Sequence, residues 1–427
     1  MEAKGKGWKM LSSLEGRRLA VLGSMDEFVR LVRTAQDRGA YVIVCDGYPE
    51  GPAKRIADVS YDIDVRDTRA VAEMCRAERV DGVVSSFSDV LAENLIEICE
   101  ELEFPVYLDS EHMRYLRDKR SMKKMFDELG ISYPLSVEVH RESVVADLAG
   151  LRFPVVAKPV SAYGSHGVRV FESAEEVECR FDEVAAFSDG DCLLCEEYDD
   201  GYEFNMMNWI VDGEPVVLEI ADREKTEDGE GSIPRVTRIV YPSRFTAETL
   251  DEARAIVAKV ARYVGMRNGP LCMQFFWSPL RGIRVCECAG RIFGYEHELL
   301  EIAGGPAIED LLLDYVYDRD SIACRLAGHS PFLPHRAAGL YFHGKPGIVA
   351  RIEGAPCEGN SLVVETLSYY APGDAIGADG KPYAMRIFLR ADDYARLDEA
   401  TDAFFGSVRM VDTSGRDLLL PNEMVGY

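Results

Sequence analysis

The chain has 427 residues, 47% hydrophobic and 10% aromatic, enough for two or three domains with real cores and too apolar for a disordered chain. Acidic residues number 74 against 48 basic ones, a net charge of −26, which argues against nucleic acid or an anionic membrane as partner unless a local basic patch overrides it. No run approaches the roughly 18 apolar residues of a membrane span, the N-terminus is too polar for a signal peptide, and eleven scattered cysteines suit a reducing compartment, so a cytoplasmic protein is expected.

In chain order, residues 18–46 predict strand, turn, helix, strand. RLAVL is short and apolar, Gly23 turns the chain, and MDEFVRLVRTAQDRG is an amphipathic helix with Phe28, Leu31, Val32 and Ala35 on its stripe and Gly39 as its stop. YVIVC is the next strand. It ends at Asp46, which suits a ribose contact or a plain polar strand end. A second unit runs from DGVVSS through the helix VLAENLIEICEEL to a strand FPVYL. Strands alternating with helices predict a parallel, doubly wound layer. Its first turn supplies only Gly23, without the G-x-G-x-x-G of a dinucleotide site.

After about residue 112 the texture changes to alternating strands, FPVVAKPV, GVRVFE, CLLCEEY, EFNMMNWIV and EPVVLEIA, joined by turns such as VDGEP. Helices over AETLDEARAIVAKVARYVG, and from EHELLEIAG through IEDLLLDYV, frame a hairpin. From about residue 331, short strands and glycine turns lead to a last helix, YARLDEATDAFFGSV. The expected domains are 1–112, 113–330 with a subdomain at about 135–200, and 331–427. Cys192 and Cys195 form a C-x-x-C inside a strand with no second pair at zinc spacing, so they read as strand residues and not a metal site.

Four stretches carry chemistry. In FPVVAKPVSAYGSHGVRVFES, Lys158 precedes a loop containing Ser161, Gly164, Ser165 and Gly167; such backbone can lay N–H groups against phosphate while the lysine adds charge, although hairpins in general are glycine-rich. His166 suits a phosphate contact or solvent equally. In LLCEEYDDGYEFN, Glu196 and Glu203 flank a turn; a strand end beside a carboxylate suits an adenine edge and a second carboxylate suits ribose hydroxyls, against the bland reading of a solvated acidic turn. LCMQFFWSPLRGIRVCECAGR reads as a hairpin. Strict alternation puts Ile283, Val285, Glu287 and Ala289 on one face and Arg284, Cys286 and Cys288 on the other, which makes the cysteines packing residues. Gln274 and Glu287 then sit side by side, an oxygen-only pair of the kind magnesium prefers, and Arg291 can grip an anion beside the metal. Arg223 and Lys225, in EIADREKT, line an acceptor side or belong to a solvated loop. Glu296 and His297, in GYEHELLE, read as helix capping and packing.

Over roughly residues 1–400 this order resembles the ATP-grasp superfamily of ligases, of carbamoyl-phosphate-synthase-like or amino-acid-ligase type. The resemblance implies an ATP-grasp fold with an N-terminal doubly wound α/β domain and a C-terminal α+β lid domain, GKPGIVARIEG closing over an acceptor pocket. It implies ATP and magnesium (or manganese). Lys119 and Lys158 would contact phosphates, as would the loop with Gly164, Ser165 and Gly167; Glu196, Glu197 and Tyr198 would hold adenine and Glu203 the ribose. Gln274 and Glu287 would ligate the metal, and Arg291 would steady the reacting acyl group. Family hairpins typically end Glu-x-Asn-x-Arg; here the Asn position is Ala289, which cannot ligate. The implied reaction is ATP-dependent carboxylate–amine ligation through an acyl phosphate, with small-molecule carboxylate and amine substrates and a homodimeric state. The alternatives are a biotin-carboxylase-like or carbamoyl-phosphate-synthase-like ATP/bicarbonate enzyme, and a catalytically degenerate ATP-binding regulatory protein.

Overall fold

The computed structural model describes residues 12–160, 167–187, 192–226, 234–356, 359–377 and 383–425. At its N-terminal end β1 (Arg18–Leu22), α1 (Asp26–Asp37), β2 (Tyr41–Cys45), β3 (Val59–Tyr61), α2 (Thr68–Ala77), β4 (Gly82–Val84) and α3 (Asp89–Glu101) build a parallel sheet of order β3-β2-β1-β4. Alternate residues of β1 and β2 leave by opposite faces. Leu19, Val21, Val42 and Val44 pack with the stripe of α1, while Ala20, Leu22, Ile43 and Cys45 pack with α2 and α3. Both faces are covered, as alternating strands and helices predict. α1 gives way to β2 through Gly39 at φ +98°, a conformation that costs glycine little.

Residues 104–108, expected as a further strand, form none. Pro105 lacks a ladder donor, and the segment is used for its side chains instead. The Tyr107 hydroxyl donates to the Gly290 carbonyl at 2.7 Å, and its side chain lies so close to Gly269 that a Cβ there would be 2.5 Å from the Tyr107 Cβ. After the single-turn α4 (Ser110–Met113) comes α5 (Lys119–Leu129). Asp118 caps it by accepting the Ser121 N–H, and Gly130 closes it at φ 59°. A second sheet of order β5-β8-β6-β7 contains β5 (Ser136–His140), β6 (Val155–Pro159), β7 (Arg169–Phe171) and β8 (Cys192–Glu197), with α6 (Val144–Asp147) and α7 (Ala174–Ala185) packed on one face.

The largest sheet is antiparallel, eight strands in the order β13-β12-β9-β10-β11-β14-β19-β17. Five come from β9 (Tyr202–Val211), β10 (Glu214–Thr226), β11 (Arg235–Tyr241), β12 (Asn268–Ser278) and β13 (Gly282–Ala289), with α8 (Thr246–Tyr263) between β11 and β12. Then α9 (Glu298–Ile302), α10 (Ile308–Tyr317) and α11 (Arg319–Leu326) lead to β14 (Arg336–Phe342), which pairs with β11, so the sheet runs across residue 330 without a break. β15 (Gly347–Ile348), β16 (Arg351–Glu353), β17 (Val363–Ser368), β18 (Ala375–Ile376), β19 (Met385–Ala391), α12 (Tyr394–Ser407) and β20 (Arg409–Val411) follow. One face of the sheet sends Phe204, Met206, Met273 and Phe275 against α5 and α8; the other sends Met207, Trp209 and Cys272 against α10 and the N-terminal unit.

Phe204 and Phe275 stack at 4.9 Å between centroids, both fully buried, on the strands that carry the cavity wall described below. Phe204→Ala is expected to cost about 3–5 kcal/mol, read as a lowered urea midpoint; a cost under about 1 kcal/mol would show that this core refills the space.

Candidate functional site

The three units enclose a cavity of about 1360 Å³. Strand alternation decides what faces it. β6 turns Val155 and Ala157 into the core under α7 and leaves Lys158 on the cavity side; β8 does the same with Cys195 and Glu196. Lys158 Nζ meets Glu196 Oε2, and Lys123 of α5 closes on Oε1 at 3.0 Å. Burial alone would raise the Glu196 carboxyl, but Lys158 and Lys123 more than offset it and hold it down at about 2. Burial likewise pulls Lys158 down, and Glu196 carries it above its usual value. Lys119, one turn before Lys123, lines the same wall; burial and the neighbouring Lys158 charge lower its pKa.

Glu197 is paired with Arg152, Nη2 to Oε2 at 2.7 Å. What this strand end turns to the cavity is the stretch from Glu196 to Tyr198, whose Tyr198 N–H is already donated to the Pro154 carbonyl at 2.9 Å. Gly164, Ser165 and His166 lie outside the described residues. Gly167 stands at φ +73°, pressed between Phe187 and Pro159.

β12 and β13 form the expected hairpin, with Gln274 directly opposite Glu287. Its faces differ from strict alternation. The register steps from Gln274–Glu287 to Phe275–Val285, leaving Cys286 as a bulged residue. Ile283 and Val285 therefore pack in the core with Cys288, while Cys286 joins Glu287 and Ala289 on the cavity lining. The expectation that Glu287 shares a face with Ile283 and Val285, and that Cys286 points away from it, is corrected by that one extra residue. Glu203 lies beside the pair. It receives Gln274 Nε2 and Lys225 Nζ, and Arg223 Nε stands 2.7 Å from its Oε1. Burial would raise its carboxyl, but Lys225 and Arg223 hold it low. A ribose hydroxyl would have to compete with those two donors and the Arg223 charge. An amide that gives its nitrogen to Glu203 turns its oxygen elsewhere, so Gln274 and Glu287 offer two oxygen donors of the type a hard divalent cation takes.

The opposite wall belongs to the N-terminal unit. Arg291, just past β13, is held by Asp89 in the first turn of α3, Nε to Oδ1 at 2.8 Å and Nη2 to Oδ2 at 3.2 Å. Asp46 also lines this wall, accepting from Ser24 Oγ at 2.8 Å and Tyr48 N–H at 3.1 Å. Glu296 and His297 pack as expected but do not cap α9, whose N-terminus has no side-chain cap. Glu296 accepts from Asn205 Nδ2 at 2.8 Å, and His297 stacks on Phe87 with Nε2 3.1 Å from Glu309. The segment 344–354 pairs with β18 and β20 away from the cavity; the described C-terminal residues that line it include His343 and Tyr383. Cys195 is core, and Cys192 lies near Glu138 and His140, where Arg120 stands 2.5 Å from Glu138 and 3.1 Å from the sulfur.

Two lysines on one helix face, a third across a sheet and an oxygen pair on a hairpin thus converge on one cavity. Residues 151–297 match the family model described as an ATP-grasp domain. These residues form an ATP-grasp domain. Over 93% of its length the chain shares its fold with the L-amino acid ligase from Bacillus licheniformis, at a TM-score of 0.78 and 17% identity, covering 99% of that chain. Phosphoribosylglycinamide synthetase from Anaerococcus prevotii has the same fold, with a TM-score of 0.69 and 18% identity over 93% and 100%. In sequence, the formate-dependent phosphoribosylglycinamide formyltransferase of Solidesulfovibrio magneticus is 28% identical over 167 residues, 39% of this chain. That match spans 42% of the relative's length.

Three contributors to the ATP-grasp cavity escaped sequence reasoning. Lys123 follows Lys119 by four residues, a helical spacing that signals a shared face. Asp89 gives no such signal, since its partner Arg291 is 202 positions away. Cys286 is hidden because a bulge leaves no mark in a run of cysteines.

The Glu196 carboxyl at about 2 against an ordinary 4.5 sets a pH window. Its pairing stabilises fully above pH 4.5 and is lost as pH falls toward 2. Glu196→Gln is expected to cost roughly 3 kcal/mol at pH 7, with the gap to the unaltered protein closing below pH ~4. Urea unfolding across pH checks this, and a gap independent of pH would refute the pairing.

Proposed function

We propose that the chain is an ATP-dependent carboxylate–amine ligase that activates a small carboxylic acid, an amino acid or peptide, as its acyl phosphate. The observation that carries this reading is the meeting of Lys119, Lys123 and Lys158 with the Gln274–Glu287 pair and Arg291 in one cavity.

A carboxylate resists amines because its charge repels them and oxide is a poor leaving group. In the proposed reaction its oxygen attacks the γ-phosphorus of ATP and the bond to ADP breaks. The amine nitrogen, free of its proton, then attacks the acyl carbon, and the carbon–oxygen bond to phosphate breaks. This chemistry asks the protein mainly for positioning and neutralisation. Lys119, Lys123 and Lys158 bring positive charge to the triphosphate in an otherwise acidic chain, and the strand end at Glu196–Tyr198 faces the base. Gln274 and Glu287 would hold magnesium or manganese, and Ala289 adds no ligand. Bound there, the metal neutralises phosphate oxygens. Arg291, fixed by Asp89, presents a guanidinium to the acyl oxygen as charge builds on it.

A second reading, favoured by the sequence likeness to the formyltransferase, keeps the same activation and takes a phosphorylated ribosyl amine as acceptor.

Lys158→Ala and Glu287→Ala are each expected to lower turnover by about 100-fold or more, with folding intact by circular dichroism. Phosphate release from magnesium-ATP with pooled amino acids measures it. Near-normal turnover in Glu287→Ala would show that the metal is held elsewhere, and full activity in excess EDTA would remove the metal from the proposal.

A further inference from the structure

Glu27 stands in the first turn of α1, 8% exposed, on the lining of the cavity. Its Oε2 is buried and has no hydrogen-bond partner. A carboxylate oxygen left in that state costs free energy unless a ligand supplies the donor. The other acids on this wall are already engaged: Asp46 by Ser24 and Tyr48, Asp64 by Arg66, Asp89 by Arg291.

We infer that Glu27 recognises a primary ammonium group on the small-molecule substrate, and that this substrate carries no phosphate. The inference rests on the ligase reading of the same cavity and chooses between its two acceptors. The N-terminal wall offers Glu27, Asp46, Asp64 and Asp89, and each arginine beside it already has a carboxylate, Arg66 with Asp64, Arg291 with Asp89 and Arg117 with Glu93. A phosphate monoester brings nearly two negative charges and seeks several charge-assisted donors; an acidic wall repels it. An ammonium has three donors and no acceptor, which suits an acceptor-only oxygen. Phe28, Phe87, Tyr295 and Tyr383 line the cavity as well, so apolar and π surface is present for the rest of such a substrate and its charge.

The surroundings of Glu27 on the protein side leave this role open. Arg386, His297 and Glu298 are the charged groups that act on it. Arg386 is turned to the Tyr369 hydroxyl at 2.6 Å and to Glu298 at 3.4 Å, and His297 to Glu309 and the Gly294 carbonyl. Burial, reinforced by the like charge of Glu298, outweighs a backbone N–H and the attraction of Arg386 and His297 and pushes the Glu27 carboxyl up to about 7, so an arriving ammonium would also draw it into the charged form.

Titration calorimetry on the full chain with magnesium-ADP present tests this. The probes are pools of the twenty common amino acids, the same pools N-acetylated, and ribose 5-phosphate. At least one amino-acid pool is expected to bind, with its N-acetylated counterpart and ribose 5-phosphate about tenfold weaker or worse. Glu27→Gln is expected to weaken the amino acid by a similar factor while magnesium-ADP still binds. Equal binding of N-acetylated pools, tighter binding of ribose 5-phosphate, no effect of Glu27→Gln, or no amino-acid binding overturns the inference. The N-acetyl comparison uses the unaltered protein, so it decides even if the variant fails to fold. Failure of magnesium nucleotide itself to bind would instead sink the ligase reading.

Discussion

A buried cation must be paired, and the cavity of this protein is built on that requirement. Lys158 and Lys123 share Glu196, Arg223 and Lys225 share Glu203, and Arg291 is gripped by Asp89. Each pairing holds a charge out of water that would otherwise neutralise or swing away. The protein thereby keeps positive groups in place inside a chain of net charge −26. A polyanion entering such a site would meet donors already desolvated and aimed, which is the form of preorganisation that electrostatic catalysis needs.

The pairings also join the parts of the molecule. Glu196 belongs to the small sheet and Lys123 to α5, which packs on the large sheet. Arg291 follows the hairpin and Asp89 opens a helix of the N-terminal unit. The same charges that would hold a nucleotide therefore tie its surrounding units together, and a ligand that displaces one carboxylate loosens one of those ties. The described cavity has no equivalent ion pair on Glu27 Oε2, which is why that oxygen stands out as a place for a substrate donor.

On the hairpin, one residue changes the outcome. Without the bulge at Cys286, Glu287 would lie on the same face as Val285 and point into the core with Phe275. With it, Glu287 stands opposite Gln274 on the cavity side. Bulges are a common means of re-aiming a side chain next to a site. Here the bulge lets one strand put Ile283, Val285 and Cys288 in the core and Cys286, Glu287 and Ala289 on the cavity lining.

Local pattern was enough to read the elements. Period-two runs such as RLAVL and YVIVC and the 3.6-residue stripe of α1 are properties of neighbouring residues, and they appear in the structure where they were read. The order of lysine, strand end and hairpin along the chain likewise pointed to the ATP-grasp domain, because each motif is local and their sequence is linear. Contacts between distant segments were not legible. The Arg291–Asp89 and Lys158–Glu196 pairs join residues 202 and 38 positions apart, and no periodicity links them. The strand expected at 104–108 failed for the same reason, since Tyr107 is claimed by Gly290 from another unit. Which face Glu287 takes depended on a register step against β12, a choice made between two strands and invisible in either one alone.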